Sequence, residues 1–406
     1  MNKTKVIVIG GGAAGFFAAL SVKEHYPEAE VTIIEKTIKV LSKVKISGGG
    51  RCNVTNAERN VKVLATHYPR GEKQLRKLFG TFNTQHTIDW FENRDVPLKT
   101  YEDGHIFPES NDSQTIIDCF LKESDKFGIR ILKRWRLAEV VPLKPGFRIE
   151  FEKHDPLVCD KVIVATGGHP KLHSFDWMSK LGHQIEPPVP SLFTFNMPTE
   201  KVTQLQGIVV EPALARIQGT KLKASGPLLI THWGMSGPAV LKLSAWGARI
   251  LEGLTYQFKV QVSWVNELNE DKVRTQLERA IPKMGSRQLK NMNPWGIPTR
   301  LWEFLLERAG LNASTPWDQF GKKMKNRLLN VLINDTYEVN GKTTFKEEFV
   351  TCGGVSLKSI NMSTMESRAC PGMYFAGEVI DIDGITGGFN FQAAWTTAYI
   401  AGKLIS

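Results

Sequence analysis

Glycines at 10, 12 and 15 follow the apolar run Val6-Ile7-Val8-Ile9, and Glu35 stands 20 residues past Gly15. This spacing suits the binding of a dinucleotide. Gly10 permits a tight turn, and Gly12 lets backbone approach a pyrophosphate. Ala13 and Ala14 open a helix whose N-terminal amides attract that anion, and Gly15 allows close helix–strand contact. A carboxylate at Glu35, with Lys36 beside it, can accept hydrogen bonds from a pair of ribose hydroxyls. A glycine pattern alone arises easily by chance. Here helical residues run on to His25, Pro27 stops them, and Val31-Thr32-Ile33-Ile34 forms a second strand, so the unit is a complete βαβ.

Three further segments carry the same kind of chemistry. A basic stretch (Lys36, Lys39, Lys43, Lys45) leads into Ile46-Ser47-Gly48-Gly49-Gly50-Arg51-Cys52-Asn53. Three consecutive glycines are costly in a regular element, and they suit a loop whose amides touch a ligand while its arginine meets phosphate or a polar ring carbonyl. The strand Lys161-Val162-Ile163-Val164 runs into Ala165-Thr166-Gly167-Gly168. Near the C-terminus, Tyr374-Phe375-Ala376 turns through Gly377-Glu378 towards Asp381, placed to reach a hydroxyl or a phosphate-bound water. Gly384, Gly387 and Gly388 then precede a helix opening at Phe389-Asn390-Phe391-Gln392-Ala393 and running to about Leu404.

The elements that position these residues read as a divided chain. Asp112 caps a helix carrying Ile116, Ile117, Phe120 and Leu121 and ending at Gly128, and Pro145-Gly146 marks a hairpin turn. Glu186-Pro187-Pro188-Val189-Pro190-Ser191 reads as a boundary that cannot continue a helix or a central strand. Beyond it come short β runs (207–217 and 256–265) and a helix with Val240, Leu241, Leu243 and Trp246. A lysine-rich amphipathic helical stretch follows from Asn269 to about Val331. No second fingerprint follows a strand, so no separate NAD(P) domain is visible.

Composition bounds the rest. The 406 residues suffice for two to three domains of roughly 100–200 residues each, with 42% hydrophobic and 23% charged residues. These values exclude collagen-like, disordered and disulfide-scaffold classes. The net charge of +11 fits a polyanion partner, an anionic cofactor or solubility alone. Five cysteines (Cys52, Cys119, Cys159, Cys352, Cys370) form no C-x-x-C pair, so no metal site is expected and a reducing compartment fits. Lys3 and Lys5 before an apolar stretch mimic a signal peptide, but Gly10-Gly11-Gly12 breaks it. A cytoplasmic protein without membrane contact is expected.

Taken together, Gly10–Gly15 with Glu35, Ala165-Thr166-Gly167 and Gly377-Glu378 resemble the two-dinucleotide-binding-domain flavoproteins. More narrowly, the chain is similar to the BaiN-like (YhiN-like) NAD(P)/FAD-dependent oxidoreductases, also called the aminoacetone oxidase family. That likeness rests on the string Lys45 to Asn56, His232-Trp233-Gly234-Met235-Ser236-Gly237-Pro238, Thr351-Cys352-Gly353-Gly354-Val355, and Gly377 through Gln392. Phe389 stands where the family more often has Tyr, and Ile380 where it often has Leu; both keep bulk.

The resemblance implies an α/β fold: a Rossmann-like, glutathione-reductase-like FAD domain split by an inserted β-barrel-like domain that carries a helical subdomain. The parts are 1–190 and 346–406 for the FAD domain and 191–345 for the insertion, helical at about 267–331. It implies FAD as cofactor, with Val140, Gly49, Gly50, Arg51, Cys52 and Asn53 joining the glycine turns in holding it. Electrons are expected to enter from transiently bound NAD(P)H or from the substrate itself, with two-electron hydride chemistry on a small organic molecule the expected reaction.

Other readings are weaker. Cys52 has no neighbouring base or partner thiol in sequence and reads as packed. Gly234-Met235-Ser236-Gly237-Pro238 lacks the final glycine of a nucleophile elbow, and Ser236 reads as a helix cap. His105 and His232 titrate in a useful range but carry no assigned role. Cys352 and Cys370 also read as structural. The runner-up function is a flavoprotein acting on RNA through Lys283, Arg287, Lys290, Lys322, Lys323, Lys325 and Arg327; a solvated helix face is the commoner reason for such charges. A flavin-bearing sensor without turnover is the third.

Overall fold

The computed structural model describes residues 3–343 and 350–405. The chain divides into two compact units, Met1–Ser191 with Lys346–Ser406, and Leu192–Phe345.

The first unit is built on a seven-stranded sheet. Its order is Ile360–Asn361, Glu366–Ser367, Met373–Phe375, Lys161–Val164, Lys5–Ile9, Glu30–Glu35 and Arg130–Lys133. The last five strands are mutually parallel. Val6–Ile9 and Val162–Val164 are buried, as expected for strands covered on both faces. The first two parallel strands in the chain, Lys5–Ile9 and Glu30–Glu35, are joined by the helix Ala13–His25. Lys161–Val164 lies on the other side of Lys5–Ile9. The strand order therefore reverses at Lys5–Ile9, and α/β proteins place ligands at such a switch point, beyond the carboxyl ends of the strands.

The helix Ala13–His25 packs against the terminal helix Phe389–Gly402. Phe17 meets Trp395 at 5.3 Å and Trp90 at 4.7 Å, and Phe120 from the helix Ser113–Lys126 closes the same aromatic core. Asp112 caps that helix through the Gln114 amide at 2.8 Å, as its sequence predicts.

The proline-rich stretch differs from expectation. Ile185–Ser191 is a strand, paired antiparallel with Val350–Val355, with its register broken between Glu186 and Val189. Pro187 and Pro188 fall at that irregularity, Pro190 pairs opposite Thr351, and the ribbon has only two strands, so no central ladder is interrupted.

The second unit is a seven-stranded antiparallel sheet. Its order is Asp335–Asn340, Gln257–Ser263, Val209–Ile217, Lys223–Thr231, Gly234–Ser236, Thr194–Asn196 and Lys342–Thr343. The outermost strands of that order are consecutive in the chain, joined at Gly341. Three helices, Glu270–Met284, Thr299–Arg308 and Lys322–Asn334, form a lobe around buried Trp302 and Trp317.

Ser236 is not a helix cap. It lies in a strand opposite Leu229, and the helix Pro238–Trp246 is capped instead by Gly237 at φ 92°. A Cβ at Gly237 would meet the Pro227 carbonyl at 2.8 Å, so the bend requires glycine. No helix among the described residues is long and apolar enough to cross a membrane.

Candidate functional site

The carboxyl ends of Lys5–Ile9, Lys161–Val164 and Met373–Phe375 bring the separate glycine turns together. Gly10, at φ 116°, lies against Ala165: a Cβ there would sit 2.3 Å from the Ala165 carbonyl oxygen. Gly377 packs on Ala14, its imagined Cβ 2.6 Å from that methyl group, and its amide donates to Thr397 Oγ1 at 2.9 Å. Gly388 sits on the Thr55 carbonyl at 2.4 Å in the same sense. Residues far apart in sequence thus share one backbone-lined surface.

Gly12 is different. It caps the helix Ala13–His25 in extended conformation without a side-chain acceptor, and nothing lies within 4 Å of where its Cβ would be. The amides that open the helix have no intrahelical acceptor, and beside them the space at Gly12 is open, an arrangement that attracts phosphate oxygens. Glu35 is oriented by the turn itself: its Oε2 accepts from Gly11 N at 3.0 Å and its Oε1 from Thr37 N at 2.8 Å. Each oxygen keeps a further lone pair for a hydroxyl. Lys36 follows on the exposed side.

Glu378 receives Lys43 Nζ on Oε2 at 2.7 Å and Thr351 N on Oε1 at 2.9 Å. Gly168 lies over the same group, its Cβ position 2.6 Å from Glu378 Oε1 and 2.4 Å from Thr351 Oγ1. Asp381 N donates to Val355 O at 3.0 Å.

At the other end, Gly387 and Gly388, at φ 129° and 86°, deliver the chain into the terminal helix, which also lacks a side-chain cap. Asn390 braces that loop with a pair of bonds to Gly384, Oδ1 accepting at 2.8 Å and Nδ2 donating at 3.0 Å. Phe389 stacks on His67 at 4.3 Å, Phe391 on Trp395 at 5.4 Å, and Ala393 is buried.

The triple glycine is a run of left-handed residues, φ 58°, 68° and 84°, with open space beside Gly49 and Gly50. Arg51 is held by the Gly48 carbonyl at 3.2 Å and lies over Phe107 at 4.3 Å. The Asn53 side chain accepts from Ile106 N at 3.2 Å. Cys52 is fully buried, and desolvation pushes its thiol up to about 12, so it is no nucleophile at neutral pH. Val140 is buried in a separate three-stranded sheet opposite Ile149. His105 Nδ1 faces Asp103 at 2.8 Å, and His232 sits on an exposed turn of the second unit.

Thr166 stands in a turn that the sequence singled out, whereas Thr351 and His169 had no role assigned to them there. Thr166 Oγ1 and Thr351 Oγ1 are buried without a hydrogen-bond partner among the described residues, a condition that native structures rarely leave unanswered. His169, next to the Ala165–Gly168 turn, is pushed down to about 4, mainly by burial and then by the Lys36 charge. Nearness to a glycine turn is the one signal that could have flagged it.

Uncapped helix amides, the space at Gly12 and two orphaned hydroxyls fit the pyrophosphate and hydroxyls of FAD. No group of three metal-ligating side chains occurs among the described residues.

This fold and cradle are those of a Rossmann-type FAD flavoprotein. The chain belongs to the family described as HI0933-like protein Rossmann domain, which matches residues 4–404, and is thereby an FAD-dependent oxidoreductase. It is similar to a 3-dehydro-bile acid delta(4,6)-reductase of Clostridium scindens, 27% identical over 416 residues and 98% of each chain. It is also similar to a ribosomal RNA dihydrouridine synthase of Escherichia coli K12, 30% identical over 413 residues, 98% of this chain and 97% of that one. Among solved structures, the 3-ketosteroid delta1-dehydrogenase of Sterolibacterium denitrificans shares the fold, with TM-score 0.51, 12% identity and 99% of both chains covered.

Proposed function

We propose that the protein transfers a hydride between NAD(P)H, bound transiently, and a small organic molecule, with FAD held in the cradle of the first unit. Residues 1–190 and 346–406 would form the FAD domain and 191–345 the insertion. Bound FAD supplies reversible two-electron redox chemistry. The uncapped helix start with open space at Gly12 carries this reading.

The chain's own residues divide the work. Amides of the two glycine-capped helices, at Gly12–Gly15 and at Gly388, Phe389 and Asn390, attract negative charge. Glu35 accepts from ribose hydroxyls, and Thr166 and Thr351 offer hydroxyls to the polar parts of the cofactor. Gly49, Gly50 and Gly167 let backbone approach it, while Glu378, fixed by Lys43, and Asp381 line the far side.

Anaerobic mixing of the holoprotein with NADH and with NADPH tests the donor: loss of the oxidised-flavin absorbance with one of them is expected, and no loss with either overturns it.

A second reading, an RNA-modifying flavoenzyme, draws on charge. Leu192–Phe345 holds 20 Lys+Arg against 12 Asp+Glu, so +8 of the chain's +11 lies in the second unit. Two relatives carry the name ribosomal RNA dihydrouridine synthase.

A further inference from the structure

The excess charge of the second unit is not spread evenly. In the helical lobe, 285–290 runs beside 313–318 through four backbone bonds: Leu289 N to Thr315 O, Lys290 N to Ala313 O, Trp317 N to Arg287 O and Asp318 N to Gly285 O, at 2.9–3.1 Å. This brings exposed Lys283, Arg287 and Lys290 to the segment that leads directly into the helix Lys322–Asn334. That helix opens with Lys322, Lys323, Lys325 and, one turn on, Arg327. Within 283–290 and 311–327, seven cations meet a single carboxylate, Asp318.

None of the seven is in an ion pair among the described residues. The ion pairs of this lobe go to other cations: Lys272 with Glu267, Arg274 with Glu270 and Arg308 with Asp335. The helix Lys322–Asn334 has no acidic residue in its first turn, and Gly321 offers it no side-chain cap. Three lysines therefore crowd the positive end of a helix dipole and repel one another, an arrangement that lowers folding stability. Two buried indoles tie these segments down beneath the surface. Trp302 Nε1 donates to Leu289 O at 2.7 Å and Trp317 Nε1 to Met292 O at 3.2 Å, both indoles buried. A cluster of cations without paired carboxylates suits a polyanion.

We propose that this face, Lys283–Lys290 with Lys322–Arg327, is the docking surface for the phosphate backbone of an RNA. The inference rests on the RNA reading above and adds where the RNA is held. Recognition would be through phosphates, which positions a nucleic acid without reading its sequence.

The test uses the full-length holoprotein and an in vitro transcribed ribosomal RNA domain, with affinity measured across KCl concentrations. One variant carries Lys322→Gln, Lys323→Gln, Lys325→Gln and Arg327→Gln. A second removes equal charge elsewhere on the unit with Lys201→Gln, Lys221→Gln, Lys223→Gln and Lys242→Gln. Each lost phosphate contact lowers the slope of log affinity against log salt by about 0.7–0.9. The first variant should therefore lose a slope of about 3 and bind at least about tenfold more weakly near 0.1 M salt. Its flavin content should stay unchanged and its Tm should not fall. The second variant should weaken binding by less than about threefold. Equal weakening by both variants, or none by the first, overturns the surface while leaving the RNA reading intact. No affinity of the unaltered protein for RNA even at low salt removes the RNA reading, and this proposal with it.

Discussion

Gly15 lies so close to Gly10 that a methyl group on it would sit 1.9 Å from the Gly10 carbonyl oxygen. The opening helix is thus pressed onto the turn that launches it, and its amides are carried to the strand end. Gly12, two residues beyond Gly10, has nothing within 4 Å. The same glycine pattern therefore contains one position required by the fold and one left open for a ligand.

These two positions should separate on substitution. Gly15→Ala forces backbone apart and should cost about 2 kcal/mol or more in urea unfolding. Gly12→Val should leave the stability of the flavin-free protein within about 1 kcal/mol, because its backbone is extended and unobstructed. It should abolish flavin retention on gel filtration, since the side chain fills the place of the pyrophosphate. Flavin retained by Gly12→Val at the unaltered level would contradict the cradle.

Cys52 should be chemically silent. Its thiol, pushed up to about 12 by burial, stays protonated near pH 8. Native protein should resist alkylation at this position in a peptide-mapping experiment, and Cys52→Ala should change the rate of flavin reduction by less than about twofold. Rapid labelling of Cys52 would refute the packed role.

His169 should make stability fall in acid. In the folded chain it is pushed down to about 4, by burial and then by Lys36 and Lys43, against 6.5 as its ordinary value. Between these values the unfolded chain binds a proton that the folded chain refuses, so the contribution is present above about pH 6.5 and lost as pH falls towards about 4. In flavin-free protein, His169→Gln should flatten that part of the pH–stability curve measured by urea unfolding. An unchanged curve would show that His169 takes up its proton equally in both states.

A buried pair should couple strongly. Asp383 is fully buried, receives both Nε and a terminal nitrogen of Arg70, and accepts from Ser191 Oγ at 2.7 Å. Arg70→Met alone leaves the carboxylate unpaired and should cost about 3–5 kcal/mol. The Arg70→Met/Asp383→Asn double variant should cost clearly less than the two single changes added together. Additive losses in urea unfolding would mean the two residues act independently.

Much of the first unit was legible because its signals are local. An apolar strand, a glycine turn, a helix stop at Pro27 and a second strand ending at Glu35 all lie within thirty-five residues. The Arg70–Asp383 pair spans 313 positions, and no local pattern announces it. Ser236 misled because serine is a good cap in isolation, whereas its strand pairing with Leu229 passes the bend to Gly237. The prolines at 187, 188 and 190 argued against a strand, yet a two-stranded ribbon with a register break tolerates them. Thr166 was expected at the site for its place in a motif. Thr351 was not, because a buried hydroxyl without a partner becomes visible only when its surroundings are.

We propose that the turns at Gly12, Gly167 and Gly388 together hold FAD. Denaturing the purified protein after reconstitution with a mixture of FAD and FMN, and identifying the released chromophore by chromatography and mass, tests it most directly. Stoichiometric FAD and little FMN are expected, because a pyrophosphate at Gly12 and an adenosine ribose at Glu35 would belong only to the dinucleotide. Release of FMN alone, or of no flavin, would contradict it.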